Sequence, residues 1–216
     1  RSVAEFTVTC VLYLVRSDHW RSVFYKQRLN SLPPAGVEWQ QINVGVVGLG
    51  VIGREVVRIL LVMGFPVRAW TAHPNRHAAF LKTSGITLAP SLKDLCSWSD
   101  IVTLHVWGNG KIIGTRELKS MQFRRGYLIN TARAGLVDSA ALQRAMKNKW
   151  IGGFISDMQS KESVTLKRNQ SGFFMITPHI AGKTVTAICK AIAQCAYNIY
   201  WVLSGNPERA SVVEIK

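Results

Sequence analysis

Acidic side chains are scarce, with 12 Asp and Glu against 27 Lys and Arg in 216 residues, a formal net charge of +15. An acidic solvating tail is excluded, and nucleic acid, anionic lipid and small anionic ligands are left as chemistries that suit the surplus. The basic residues come at most in pairs, Arg124 with Arg125 and Lys167 with Arg168, without an aromatic-interleaved stripe. The expectation is a basic surface, with no nucleic-acid partner. Cysteine is also rare. Cys10, Cys96, Cys189 and Cys195 form no CxxC, which excludes a disulfide scaffold and predicts small buried residues in a reducing compartment. No metal site is expected. Long apolar runs are missing: "CVLYLV" at 10–15 falls far below the roughly 18 residues that cross a bilayer, so neither a span nor a membrane partner is expected. No methionine precedes Met63, and the opening "RSVAEFTVTCVLYLV" carries Glu5 without a small-residue cleavage site. It reads as a fragment or processed chain, not a secretory signal, and predicts a cytoplasmic protein.

What is present is an ordinary globular composition, 48% apolar and 18% charged, long enough for one sizeable core. From Val44 onward, short β-branched runs alternate with amphipathic stretches, the pattern of βαβ units and a parallel sheet. Six strands are predicted, at 44–48, 66–70, 101–106, 127–130, 152–156 and 173–177. Several are apolar throughout, as strands covered on both faces are. Helices are predicted at "REVVRILLVMG", ended by Gly64 as a left-handed cap; at "DSAALQRAMKNK", capped by Asp138 or Ser139; and at 183–204, stopped by Gly205 and Pro207. Residues 2–16 are apolar over most of a helical circumference, so self-association through that helix is expected. Residues 30–41, with Pro33, Pro34 and Gly36, read as a linker.

The sharpest local signal is "VGVVGLGVIGREVV", which sets Gly48, Gly50 and Gly53 in GxGxxG spacing between a strand and a helix. Gly48 permits the tight turn, Gly50 lets a diphosphate approach the backbone, and Gly53 lets the helix pack on the strand. About 20 residues on, a dinucleotide site usually carries an acid that accepts from the adenosine ribose. Thr71 stands there instead, followed by His73 and Arg76. These three suit a 2′-phosphate, hence NADP (NADPH) before NAD; a solvated loop that tolerates either dinucleotide is the open alternative.

Five segments, "VGVVGLGVIG", "SDIVTLHV", "LINTARAGLVDSAAL", "GGFISD" and "TPHIAG", stand in an order and spacing that resemble the D-isomer-specific 2-hydroxyacid dehydrogenase family over residues 2–213. "GFPVRAW" followed by a non-acidic loop is most similar to the NADPH-dependent glyoxylate and hydroxypyruvate reductase branch. The resemblance implies a doubly wound, Rossmann-like α/β domain with flanking crossing helices and hydride transfer between NAD(P)H and a small anionic 2-oxo acid. Arg133, just past a strand's carboxyl end, suits the substrate carboxylate because a guanidinium grips it bidentately. His179 would protonate the carbonyl oxygen, and Glu162 would pair with it. Further implied cofactor contacts are Val51, Ile52, Thr131, Ala132, Asp157 and Gly182. The pattern departs at Met158 and Gln159, at Ser163, and at "HVWGNGKIIG", where Trp107 either narrows the nicotinamide side or packs. His105 reads as a strand-end residue.

The implied organisation is a crossing helix and linker (1–41), a dinucleotide domain (42–182) and a second crossing helix with its tail (183–216). The family's substrate domain is then largely missing, and a homodimer through the crossing helices is implied. A dinucleotide-sensing module of the C-terminal-binding-protein corepressor type, or a catalytically inactive fragment, are the competing readings.

Overall fold

The computed structural model describes residues 1–25, 37–108, 110–158 and 172–210, without the side chains of 17–25. Seven parallel strands make one sheet: β1 (Val44–Val47), β2 (Val67–Trp70), β3 (Thr87–Leu88), β4 (Ile101–Leu104), β5 (Tyr127–Asn130), β6 (Gly153–Ser156) and β7 (Phe173–Ile176). Their order is β3-β2-β1-β4-β5-β6-β7. The chain winds outward from β1 to β3, then returns to the other side of β1 and winds out to β7. The order therefore reverses between β1 and β4, where the loops at the strands' carboxyl ends open a crevice.

Strand side chains alternate between two cores. Val44, Val46 and Ile101 join α1 (Ser2–Tyr25), α2 (Val51–Val62) and α3 (Ala78–Ser84). Val47, Val102 and Leu104 join α4 (Leu92–Trp98), α5 (Thr115–Ser120) and α6 (Ser139–Lys147) on the other face. The doubly wound sheet expected from the sequence is thus present. It gains one strand, β3, whose two residues are too few to show a period. The caps are as the residues dictate: Asp138 accepts from the Ala141 N–H at 2.9 Å, and Gly64 takes φ +85° after α2.

Two expectations are corrected. Along α1, Ala4, Thr7, Val8, Val11 and Leu14 are buried, spaced on one face and packed chiefly on α2. At roughly 1.5–3 kcal/mol per buried aliphatic side chain, that face is satisfied within the domain and does not call for a second copy. The bare apolar surface belongs instead to α7 (Val185–Leu203), which has no buried residue. For the same reason Cys189 and Cys195 are exposed, whereas Cys10 and Cys96 are buried, where burial pushes both thiols up to about 12. No described helix is long and apolar enough to cross a membrane.

Candidate dinucleotide and substrate site

The carboxyl ends of six strands stop level. Trp70, Val47, Leu104, Asn130, Ser156 and Ile176 lie in one row of strand pairing. The next residues, Thr71, Gly48, His105, Thr131, Asp157 and Thr177, therefore line one edge of the sheet. Four of these six are sequence-predicted contacts. Arg133 and His179 each follow three residues after a member of the row, Asn130 and Ile176, so the structure places both on the same edge with β6 between them.

The glycine loop is built as its spacing requires. Gly48 has φ +92°, and a Cβ there would stand 2.7 Å from the His105 carbonyl oxygen. A Cβ on Gly53 would collide with the Gly48 carbonyl oxygen, so α2 can start this close to β1 only with glycine at that position. Nothing lies within 4 Å of a Cβ on Gly50. The helix's own bonding begins with the Arg54 N–H to the Gly50 carbonyl, 3.0 Å. That leaves the amides of Val51, Ile52 and Gly53 at the open helix end, with no acid in the first turn. Val51 is 79% exposed. Open amides, a positive helix end and room at Gly50 fit a dinucleotide diphosphate.

These contacts separate two roles that one motif hides. Gly53→Ala is expected to cost about 1–3 kcal/mol through overpacking against backbone, lowering Tm by roughly 2–4 °C per kcal/mol. Gly50→Ala loses only the N-cap preference for glycine over alanine, about 0.5–1 kcal/mol or roughly 1–4 °C in Tm, because a methyl there meets nothing, yet it weakens dinucleotide binding. Thermal unfolding and a dinucleotide titration of both variants check this; a large Tm loss in Gly50→Ala would contradict it.

Beyond β2, Thr71 accepts from the His73 N–H at 3.3 Å, and Arg76 is exposed on the turn Pro74–His77. Sequence reasoning overlooked two neighbours. His77 Nδ1 is buried without a hydrogen-bond partner among the described residues, and its imidazole is pushed below its usual range by burial and by the charges of Arg54, Arg76 and His73. Arg54, one residue past the last motif glycine, thus joins the cluster. At the floor of the loop, His105 meets Thr103 Oγ1 at 3.0 Å, and burial pushes it down to about 3, so it is neutral near pH 7.

The substrate side is held by backbone closure. Asn130 Nδ2 donates to the Arg133 carbonyl (2.8 Å) while its Oδ1 accepts from the Ala132 N–H (3.1 Å). Arg133 is exposed and donates one bond to the Ala132 carbonyl, 2.8 Å. Thr131 Oγ1 lies 3.1 Å from Thr7 Oγ1 of α1; since Thr7 donates to the Val3 carbonyl, Thr131 is the donor between them. Asp157 is fully buried. Its Oδ1 accepts from Thr177 Oγ1 (2.6 Å) and the Ile180 N–H (2.8 Å), its Oδ2 from the Ala181 N–H (2.8 Å). The carboxylate thus clamps the loop that carries His179, itself exposed at φ +54°. Gly182 faces Val3 of α1. Trp107 is 82% exposed, so it does not take the packing role. Glu162 lies outside the described residues.

The NAD-binding domain model of the D-isomer specific 2-hydroxyacid dehydrogenases matches residues 8–181. The chain belongs to that family. It is 30% identical over 179 residues to the glycerate dehydrogenase of Methylorubrum extorquens, covering 80% of this chain and 52% of the relative. It is 29% identical to the glyoxylate reductase of Thermofilum pendens, covering 98% and 64%. Among solved structures, the NAD-complexed D-isomer specific 2-hydroxyacid dehydrogenase of Lactobacillus delbrueckii superposes with a TM-score of 0.78 at 27% identity, covering 97% of this chain and 69% of that one. The D-lactate dehydrogenase of Aquifex aeolicus, complexed with NAD and lactic acid, gives 0.81 at 25%, covering 96% and 68%. The chain thus spans about half to two thirds of the length of these relatives. The glycine loop and the row of strand ends both lie within the matched residues.

Proposed function

We propose that this chain is the dinucleotide-binding part of an NADPH-preferring reductase of small 2-oxo acids such as glyoxylate or hydroxypyruvate. The supporting observation is the single row of strand ends, which sets Gly48, Thr131 and Asp157 level and carries Arg133 and His179 above them. A bound NADPH supplies two electrons and one hydrogen. Arg133 holds the substrate carboxylate with two parallel N–H bonds. The His179 imidazolium gives its proton to the keto oxygen as that oxygen gains charge, and takes it back in the reverse direction. Glu162 orients His179. Val51, Ile52, Thr131, Ala132, Asp157 and Gly182 line the cofactor's path. Homodimerisation through the crossing helices belongs to the same reading; its support is the bare apolar surface of α7, where Val185 is 80% and Leu203 82% exposed.

The cofactor preference rests on Thr71 with His73 and Arg76, now joined by Arg54 and His77. One opposite charge about 4 Å from the phosphate contributes roughly 4 kcal/mol at an effective dielectric near 20, before desolvation and salt reduce it. NADPH is therefore expected to bind about 10- to 100-fold more tightly than NADH, or roughly 1.4–2.7 kcal/mol. Thr71→Asp erases or reverses the difference, and Arg76→Ala weakens NADPH alone. Titration of both cofactors by nicotinamide fluorescence tests this, and tighter binding of NADH would refute it.

A further inference from the structure

The helical layer formed by α4, α5 and α6 turns Leu95, Leu118, Leu142 and Met146 toward the sheet. Helical periodicity then sends Lys119, Arg144 and Lys147 outward, where all three are exposed. Two turns at the amino-terminal edge of the sheet extend this surface, residues 121–125 after α5 and residues 148–152 after α6. The Gly152 N–H donates to the Arg125 carbonyl at 2.8 Å, so the turns lie side by side and bring Arg125 and Lys149 to one edge. Of the acids on this layer, Glu117 is committed to the Gly114 N–H at 3.0 Å, and Asp94 to Ser91 at its helix start. Lys119, Arg125, Lys147 and Lys149 have no ion-pair partner among the described residues. In their midst stands Phe123, 95% exposed.

Arg125 and Lys149 share a second property. With His179 they are the described non-glycine residues with positive φ, 49° and 57°. Both turns take a conformation that suits glycine, yet carry a long cationic side chain there.

We propose that this surface docks on an anionic phospholipid bilayer, with Phe123 entering the boundary between headgroups and acyl chains and the basic side chains facing lipid phosphates. A bilayer fits better than a single-stranded nucleic acid. Such strands stack successive bases on several aromatic rings, whereas here Trp98 and Trp150 are partly buried and Phe123 stands alone. One apolar side chain ringed by cations is what an interfacial contact uses. The docking edge is opposite the strand ends that carry Gly48, Arg133 and His179, so the dinucleotide crevice stays open when the protein is bound. The sequence conceals this surface because its parts lie on separate helices and turns.

Sedimentation of the whole chain with large vesicles of phosphatidylcholine, alone or mixed with phosphatidylserine, tests the proposal. Binding to the mixed vesicles is expected at least about tenfold above binding to phosphatidylcholine, falling with added salt. Each cation near such a surface changes partitioning roughly fivefold, so Arg125→Gly with Lys149→Gly together should lower it about 25-fold. Glycine relieves the positive φ, so Tm stays level or rises, and lost binding cannot be lost folding. Phe123→Ser is expected to lower binding roughly tenfold. Absence of binding to mixed vesicles overturns the proposal. So does equal binding to both vesicle types, which would assign the contact to the apolar face of α7, and so do variants that bind like the wild type. Tighter binding of polyuridylate than of vesicles, lost in the same variants, would assign the surface to nucleic acid instead.

Discussion

Replacing His179 with asparagine is expected to lower kcat by about 10²- to 10⁴-fold in protein that turns over a 2-oxo acid, while dinucleotide affinity stays within about threefold. Asparagine is the informative choice because His179 sits at φ +54°, a region asparagine tolerates better than most residues. Alanine would remove the proton donor and strain the loop together. With asparagine the backbone is kept, and what is lost is a group able to give a proton to the developing alkoxide. The exposed imidazole is free to meet a substrate, and the loop beneath it is fixed through Asp157. Steady-state kinetics of the two variants check the assignment: equal losses in both place the effect in proton transfer. A loss in alanine alone would place it in the loop's conformation, and an unchanged kcat in asparagine would remove His179 from the chemistry.

The central part of this site is legible in the sequence because it rests on local constraints. Gly48 and Gly53 are demanded by a positive φ and by a backbone contact a few residues away, and such demands leave their mark on a short motif. The strands at 44–47 and 101–104 are likewise local, being apolar runs bounded by polar turns. Where the fold depends on which distant surface covers which, the sequence is mute. Residues 2–16 and 185–203 are both apolar helices, yet the first buries one face against α2, whereas the second packs chiefly on the short turn Pro207–Arg209 that follows it and has no buried residue. Their composition does not distinguish them. Helices α3, α4 and α5 have seven residues or fewer, barely two turns, so no stripe of apolar residues can develop. Arg54 and His77 escape notice for a related reason. One belongs to a helix and the other to a turn about 20 residues later, and only the placement of β2 beside β1 brings the two side chains near each other.

Asp157→Ala should destabilise the domain by about 3–5 kcal/mol, since it strips the partner from three donors that converge on one buried carboxylate. The Ala181 N–H is the costliest of these, because Ala181 is 3% exposed and no water replaces the lost acceptor, whereas Ile180 is 41% exposed and its N–H can turn to solvent. At roughly 2–4 °C per kcal/mol for a domain of this size, Tm should fall by about 6–20 °C. Asp157→Asn is the gentler substitute. With its oxygen toward the Ala181 N–H, its NH₂ faces the Thr177 hydroxyl, which accepts as well as donates, and only the Ile180 N–H is stripped. That variant should lose about 1–3 kcal/mol. Because the Asp157 carbonyl also accepts from the His179 N–H at 3.1 Å, a bond both substitutions keep, the loop should loosen at residues 180–182 before it releases His179. Hydrogen exchange should therefore show protection lost first at the amides of Ile180 and Ala181. In protein that turns over a 2-oxo acid, kcat should fall. A Tm within about 1 °C of the wild type in both variants, against the loss expected from three stripped donors, would show that the carboxylate does not hold this loop.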